Sequence, residues 1–157
     1  MRFLQIDQIT QLEAGSHIEA IKNVTGKEDY LRDHFPRFAV LPGVLMLEAL
    51  FQASALLVRA TENHEVGLVV LRAVKNVKFA DFLEPGQSMH LHSKIFKSDA
   101  GKYTLKAEGK KADSTCVSGR LVLEVVEGDQ PEIVAKHAAL YMKQLSEQLQ
   151  QTPIASS

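Results

Sequence analysis

This chain of 157 residues has one cysteine, no tryptophan and almost no net charge. Its single cysteine, Cys116, excludes an intrachain disulfide and favours a reducing compartment. Lysine and arginine number 18 against 19 aspartate and glutamate residues, and the formal net charge of -1 gives no basis for attracting nucleic acid or an anionic membrane. We therefore expect one soluble cytoplasmic protein with neither nucleic acid nor membrane as a partner.

Long hydrophobic runs are also few. The first ten residues lack the apolar run of a signal peptide. The stretch from Gly43 to Val58 is almost wholly apolar, but it is shorter than the ~20 residues of a membrane span and contains Glu48. It predicts a helix that begins at Pro42, ends near Ala60 or Glu62, and is buried on every side.

The remaining segments alternate between apolar and polar residues and are separated by turn signals. Gly15, Pro85-Gly86 and Gly101 mark three of these turns. Short strands joined by short turns predict an antiparallel sheet, and one long apolar helix predicts that the sheet wraps around it, which is an α+β fold.

The C-terminal part has a different pattern. Asp129 and Glu132 have the spacing of a capping box, and an amphipathic stripe follows them. We divide the chain into a main domain over residues 1–128, a C-terminal helix over 129–149 and a disordered tail over 150–157.

A base, an acid and a helix N-terminus are encoded close together. His34 precedes Glu48 by fourteen residues, and Pro42-Gly43 lies between them. A neutral imidazole acts as a base near neutral pH, a carboxyl among apolar side chains favours its protonated form, and first-turn amides can bind an oxyanion. Gln52, one turn after Glu48, is placed to hold its carboxyl. Singly, a buried His or Glu is more often structural, but this spacing favours catalysis.

The segment around these residues resembles part of a known protein family. His34-Phe35-Pro36, Pro42-Gly43-Val44, Glu48 and Gln52 resemble the active-site segment of 3-hydroxyacyl-[acyl carrier protein] dehydratases, the FabZ-like hot-dog family. Residues 15–25 and 74–86 resemble two strands of that family. Its usual Gly before the histidine and Gly-x-Pro after the His-Phe-Pro are replaced by Asp33, Arg37 and Ala39.

The resemblance implies a hot-dog fold and the reversible dehydration of 3-hydroxyacyl-[acyl carrier protein] to the trans-2-enoyl form in fatty-acid synthesis, without a metal or redox cofactor. It implies that His34 is the base, Glu48 the acid and the Gly43 N–H the donor to the thioester oxygen. The partners implied are an acidic acyl carrier protein and a second copy of the chain that shares the active site, with trimers of dimers possible. Candidates to line an acyl tunnel are Phe38, Leu41, Leu45, Met46 and Phe51.

Three alternatives stay open. A hot-dog thioesterase would use Glu48 to activate water, which leaves His34 without a task. An isomerising dehydratase of the FabA type would favour Asp where this chain has Glu48. A non-catalytic acyl-binding protein would result if Arg37 and Phe38 blocked the site.

Overall fold

The computed structural model describes residues 5–26, 40–63 and 67–126. They form six strands and one long helix in the order β1, β2, α1, β3, β4, β5, β6. The elements are β1 Gln8–Glu13, β2 His17–Asn23, α1 Gly43–Thr61, β3 Leu68–Phe79, β4 Ser88–Asp99, β5 Lys102–Lys111 and β6 Ser114–Val126.

All six strands belong to one antiparallel sheet, in the order β1-β2-β4-β5-β6-β3. Helix α1 packs against β2, β4, β5, β6 and β3, so it crosses one face of the sheet. The predicted class, an antiparallel sheet around one helix, is confirmed. Since β1 and β3 are the edges, one side of each has no strand partner in the part of the chain that the structure describes.

The turns form where glycine was expected to allow them. Gly15 has φ 79° in the β1–β2 turn, where Ser16 N–H donates to the Glu13 carbonyl. Its own N–H donates to Thr61 Oγ1, which ties this hairpin to the last turn of α1. The β4–β5 turn uses Ala100 and Gly101, both with positive φ.

Helix α1 is buried on one side only, which corrects the expectation that it is buried all round. Its residues facing the sheet, such as Leu50 and Leu57, are inaccessible to solvent, whereas Val44 is 71% exposed. By length and composition α1 would also satisfy the criteria for a membrane span, as core helices of soluble proteins do. The buried helix residues are Met46, Ala49, Leu50, Ala53, Ser54, Leu56, Leu57 and Val58.

Gly119 of β6 lies beside β3. The nearest atom to a Cβ built on it is Cγ2 of Val77, at 3.4 Å. Gly119 therefore makes room for the bulge in β3, where the register shifts between Lys75 and Lys78. The helix predicted over 129–149 and the tail over 150–157 lie outside the described residues.

Candidate active site

The first amides of α1 have no backbone partner among the described residues. Pro42 is the N-cap residue, and its carbonyl accepts from the N–H groups of Leu45 and Met46 at 2.9 and 3.2 Å. Within the described residues no backbone carbonyl accepts from the amides of Gly43 or Val44, and no side chain caps the helix. These donors lie at the positive end of the helix dipole, so this end can bind a developing negative charge.

A phenyl ring covers the Cα of Gly43. A Cβ built on this glycine would lie 3.1 Å from Cδ1 and Cε1 of Phe79, at the end of β3. A side chain at Gly43 would therefore require the Phe79 ring to shift. The absence of a side chain at Gly43 serves the close approach of the Phe79 ring as well as access to the amide.

A cavity of about 330 Å³ opens beside this helix end. Of the five residues expected to line an acyl tunnel, Leu41 and Met46 line it; Leu45 and Phe51 are half-buried against the core, and Phe38 lies outside the described residues. Sequence reasoning missed the wall supplied by the end of β3 and the turn after it. The lining residues are Val40, Leu41, Gly43, Met46, Phe79, Ala80, Asp81 and Phe82.

Asp81 holds that wall in place. Its carboxylate accepts from Ser114 Oγ and from the N–H of Phe82, both at 2.7 Å, and lies 3.3 Å from Lys111 Nζ. These hydrogen bonds, first that from Ser114, hold the pKa of Asp81 below its usual range. Lys111 Nζ also donates to the Phe82 carbonyl at 2.7 Å, so the turn is fixed to the β5–β6 hairpin and Phe82 keeps its place at the cavity.

Glu48 is half-buried, and a chain of hydrogen bonds orients it. Gln52 Nε2 donates to Glu48 Oε1 at 3.1 Å, and Gln52 Oε1 accepts from the backbone N–H of Gln5 at 2.7 Å. Because an N–H can only donate, Gln5 fixes which end of the Gln52 amide faces Glu48. The i, i+4 contact between Gln52 and Glu48 followed from helix periodicity; no sequence signal pointed to Gln5.

Glu48 and the cavity lie on different sides of α1. At about 100° per residue, Glu48 is rotated by about 140° from Gly43 and about 160° from Met46. The described residues therefore do not bring the carboxyl to the cavity within one protomer. His34, the third member of the predicted set, lies outside the described residues.

The side of α1 that carries Glu48 is apolar and incompletely covered. Val44, Leu47, Phe51 and Ala55 follow one another at the spacing of a helix face; Val44 is exposed and the other three are half-buried. Four apolar side chains on an incompletely covered face suit contact with another protein surface.

The described residues were also compared with the ligand sets of metal sites. Among residues 5–26, 40–63 and 67–126, no three His, Cys, Asp or Glu side chains lie close enough together to hold a metal ion. His90 is exposed on the outer face of β4, and the His92 ring lies 5.8 Å from that of His17, centroid to centroid.

Comparisons with known proteins agree on the family and the fold. The FabA-like domain family matches residues 1–125. The chain is 37% identical over 127 residues to a 3-hydroxyacyl-[acyl-carrier-protein] dehydratase FabZ of Thiobacillus denitrificans, an alignment covering 78% of this chain and 82% of that protein. It is 37% identical over 118 residues to the protein of the same name in Wolbachia pipientis, covering 72% and 82%.

Among solved structures, the dehydratase heterocomplex ApeI:P of Xenorhabdus doucetiae is similar in fold. Its TM-score is 0.66 at 16% sequence identity, and the alignment covers 83% of this chain and 88% of that one.

Proposed function

This chain belongs to the FabA-like domain family, and from that premise we propose that it catalyses the reversible dehydration of 3-hydroxyacyl-[acyl-carrier-protein] to trans-2-enoyl-[acyl-carrier-protein] in cytoplasmic fatty-acid synthesis. The observation that carries the proposal is the 37% identity to named dehydratases over most of both chains. The spacing of His34, Gly43 and Glu48 supplies each group that the reaction needs.

Three groups each carry out one part of the reaction. His34 takes the proton from C2 of the acyl chain, and the electron pair moves toward the thioester carbonyl. The Gly43 N–H, at the positive end of α1, binds the oxygen on which charge develops. Glu48 donates a proton to the hydroxyl at C3 as the C–O bond breaks, so that water and the enoyl thioester leave.

The site requires two protomers in this proposal. Glu48 points about 160° away from Met46 of the cavity in its own protomer, so it serves the cavity of a second copy. The incompletely covered face made by Val44, Leu47, Phe51 and Ala55 supports such an assembly. Strand β3 is an edge of the sheet that the described residues form, and its free side offers backbone groups for the same contact.

The activity is tested by following enoyl thioester formation in the ultraviolet, with 3-hydroxyacyl carrier-protein substrates of increasing chain length. Release of free thiol is measured in parallel, because hydrolysis without enoyl formation would point to a thioesterase. We expect H34A and E48Q each to abolish dehydration without loss of the folded assembly. Near-normal dehydration by either variant would refute the assigned roles.

Sharing of the site is tested by mixing the two inactive variants. A mixed dimer of H34A and E48Q contains one site with both groups intact and one with neither. Random exchange produces mixed dimers in about half of the molecules, so about one quarter of wild-type activity should return. No recovery after verified exchange would place both groups of each site in one protomer.

Gly43 is tested by substitution with alanine. The added Cβ meets the Phe79 ring at 3.1 Å, and because Phe79 is 54% exposed the ring can shift. We therefore expect G43A to fold with near-normal stability and to lose activity. G43A keeps the backbone N–H but places a methyl group beside it, whereas the matched variant F79L removes the ring and adds nothing at Gly43. Equal activity of G43A and wild type would remove Gly43 from the site.

A further inference from the structure

The face of the sheet that points away from α1 carries an apolar patch where β3 begins and β6 ends. Helix α1 packs on the opposite face. Val122 lies on the outer face, because its neighbours Leu121 and Leu123 are buried in the core. The same alternation places other apolar residues of β3 and β6 there. We name as the outer patch five residues of this face: Leu68, Val70, Phe96, Val122 and Val126.

The outer patch reaches from β3 to β4. Leu68 lies opposite Val126 in the register of β3 and β6. The Phe96 ring extends from β4 over the neighbouring strands, since Lys106 Nζ of β5 and the Arg120 guanidinium carbon of β6 lie 4.4 and 5.1 Å from its centroid. Leu68 and Phe96 are 40% and 55% exposed, and the three valines are half-buried. Exposed apolar side chains grouped in this way are typical of a surface that another element covers.

The chain leaves the sheet inside this patch. Val126 ends β6, and 31 residues follow it in the sequence. They lie beyond residues 1–125, which the FabA-like domain family matches. Gly128 is the second residue after β6 and permits a reversal of chain direction. A segment that turns back at this glycine meets the outer patch first.

The segment over residues 129–149 has one apolar and one charged side. At about 100° per residue of an α-helix, its apolar stripe occupies a sector of about 80°, and its charged residues from 132 onwards occupy about 60° on the opposite side. The stripe consists of Val134, Ala138, Tyr141, Leu145 and Leu149, and the charged side consists of Glu132, Lys136, Lys143 and Glu147. Because two bases are balanced by two acids, the segment has no attraction to an anionic membrane, and its stripe suits a protein surface.

The stripe and the outer patch have similar lengths. Val126 and Phe96 are separated by two strand spacings and by about four residues along the strands, which is about 16 Å. Val134 and Leu145 are also about 16 Å apart on a helix. A linker of two residues joins β6 to the segment and gives it a high effective concentration at the patch, so a few apolar contacts are enough to hold it.

We propose that residues 129–149 form a helix that docks on the outer patch of the same chain and covers it. Val134 lies against the start of β3, and Leu145 lies against Phe96. The charged side of the helix then faces solvent. This docking goes beyond the proposed dehydratase activity and does not depend on it.

The test uses tryptophan as a reporter, because the chain contains none. Y141W places an indole in the apolar stripe, and the matched control K143W places one on the charged side two residues further on. We expect the indole of Y141W to emit at a shorter wavelength than that of K143W and to be quenched several-fold less by acrylamide, since a docked aromatic ring is shielded from water. Equal quenching in the two variants would overturn the docked helix.

The surface is identified by changing the patch in the Y141W background. L68N/F96S alters two exposed residues, so the fold should persist, and cooperative unfolding in urea checks this. We expect quenching to rise to the level of K143W. V44N is the comparison, because Val44 is an exposed apolar residue on α1 instead. Quenching that L68N/F96S leaves unchanged, or that V44N raises in its place, would assign the segment to another surface and overturn the proposal.

Mixing distinguishes the same chain from a second copy. Y141W/L68N/F96S is combined with wild-type protein, and exchange of subunits is verified. We expect the indole to stay exposed, because its own patch is disrupted. If protection returned, the segment would dock on a neighbouring chain, and the proposal would be wrong.

Stability gives a further readout without any change in the patch. L145S and K143S both replace a good helix former with serine, but only L145S removes an apolar contact. We expect L145S to lower Tm by about 3 °C more than K143S does. Equal Tm values of the two variants would overturn the contact between the stripe and the sheet.

Discussion

Gln52 allows a sharp test of how the candidate acid is held. Its amide accepts from the Gln5 N–H through one end and donates to Glu48 through the other, at 2.7 and 3.1 Å. Two substitutions separate these contacts. Q52E keeps an acceptor for Gln5 and loses the donor to Glu48, whereas Q52M keeps the approximate volume and loses both.

The magnitudes follow from burial. Gln5 is only 1% exposed, so removing the acceptor of its N–H should cost about 1–3 kcal/mol. The bond from Gln52 to Glu48 is only partly buried, and its loss should add about 0.5–1.5 kcal/mol. We expect Q52M to lower the free energy of unfolding by about 2–4 kcal/mol, and Q52E to lower it by less while the added carboxyl is protonated.

The assay is urea unfolding combined with dehydration kinetics across pH. Q52E places two carboxyl groups within hydrogen-bonding distance, where they share a proton over part of the pH range. We therefore expect its activity to depend on pH differently from that of wild type and Q52M. A merely structural Gln52 would change stability in both variants and leave the shape of the pH profile unaltered.

Results opposite to these would refute the reasoning. If Q52M were as stable as wild type, the bond from Gln5 would not contribute as its burial indicates. If Q52M kept full kcat while its stability fell, Gln52 would not position Glu48 for the reaction.

Three predictions concern the rest of the fold. Ser54 and Ser93 share a buried hydrogen bond of 2.6 Å, so S54A should lose about 1–3 kcal/mol, and the double alanine variant should unfold closer to wild type in urea; additive losses would contradict this. The Tyr103 hydroxyl donates to Glu62, and burial, followed by that bond, raises the pKa of Tyr103 to about 12. The stability that this group contributes is therefore complete below about pH 10 and is lost as the pH rises through about 12. Y103F should lack this alkaline loss of stability in thermal unfolding. Burial likewise raises the pKa of Cys116, so folded protein should react with a thiol reagent far more slowly than denatured protein, and equal rates would contradict it.

The elements that sequence reasoning predicted are those fixed by neighbours in the chain. The Gly15 turn and the start of α1 after Pro42 depend on residues within a few positions of each other. Helix α1 ends at Thr61, between the two ends expected for it. Local turn chemistry and apolar periodicity are enough for such features.

Features that depend on distant parts of the chain were missed. Phe79 covers Gly43 from the far end of β3, and Gln5 reaches Gln52 across 47 residues. Burial of α1 on every side was predicted because composition alone does not say whether an apolar surface meets the same chain or a second one. Lys22 is a further case, because its charge predicts an exposed side chain. Its position on the inner face of β2 instead leaves it only 6% exposed.

The relation between Gly43 and Glu48 could be predicted from the sequence only in part. Five helical residues rotate a side chain by about 140°, so the sequence already implies that the amide and the carboxyl face different ways on one helix. What it leaves open is which surface each of them meets. The structure places a cavity against Gly43 and leaves the apolar residues beside Glu48 incompletely covered. In the proposed reaction, which uses both groups, we therefore expect a second helix N-terminus to face Glu48, as two-fold pairing of identical chains would provide at each site.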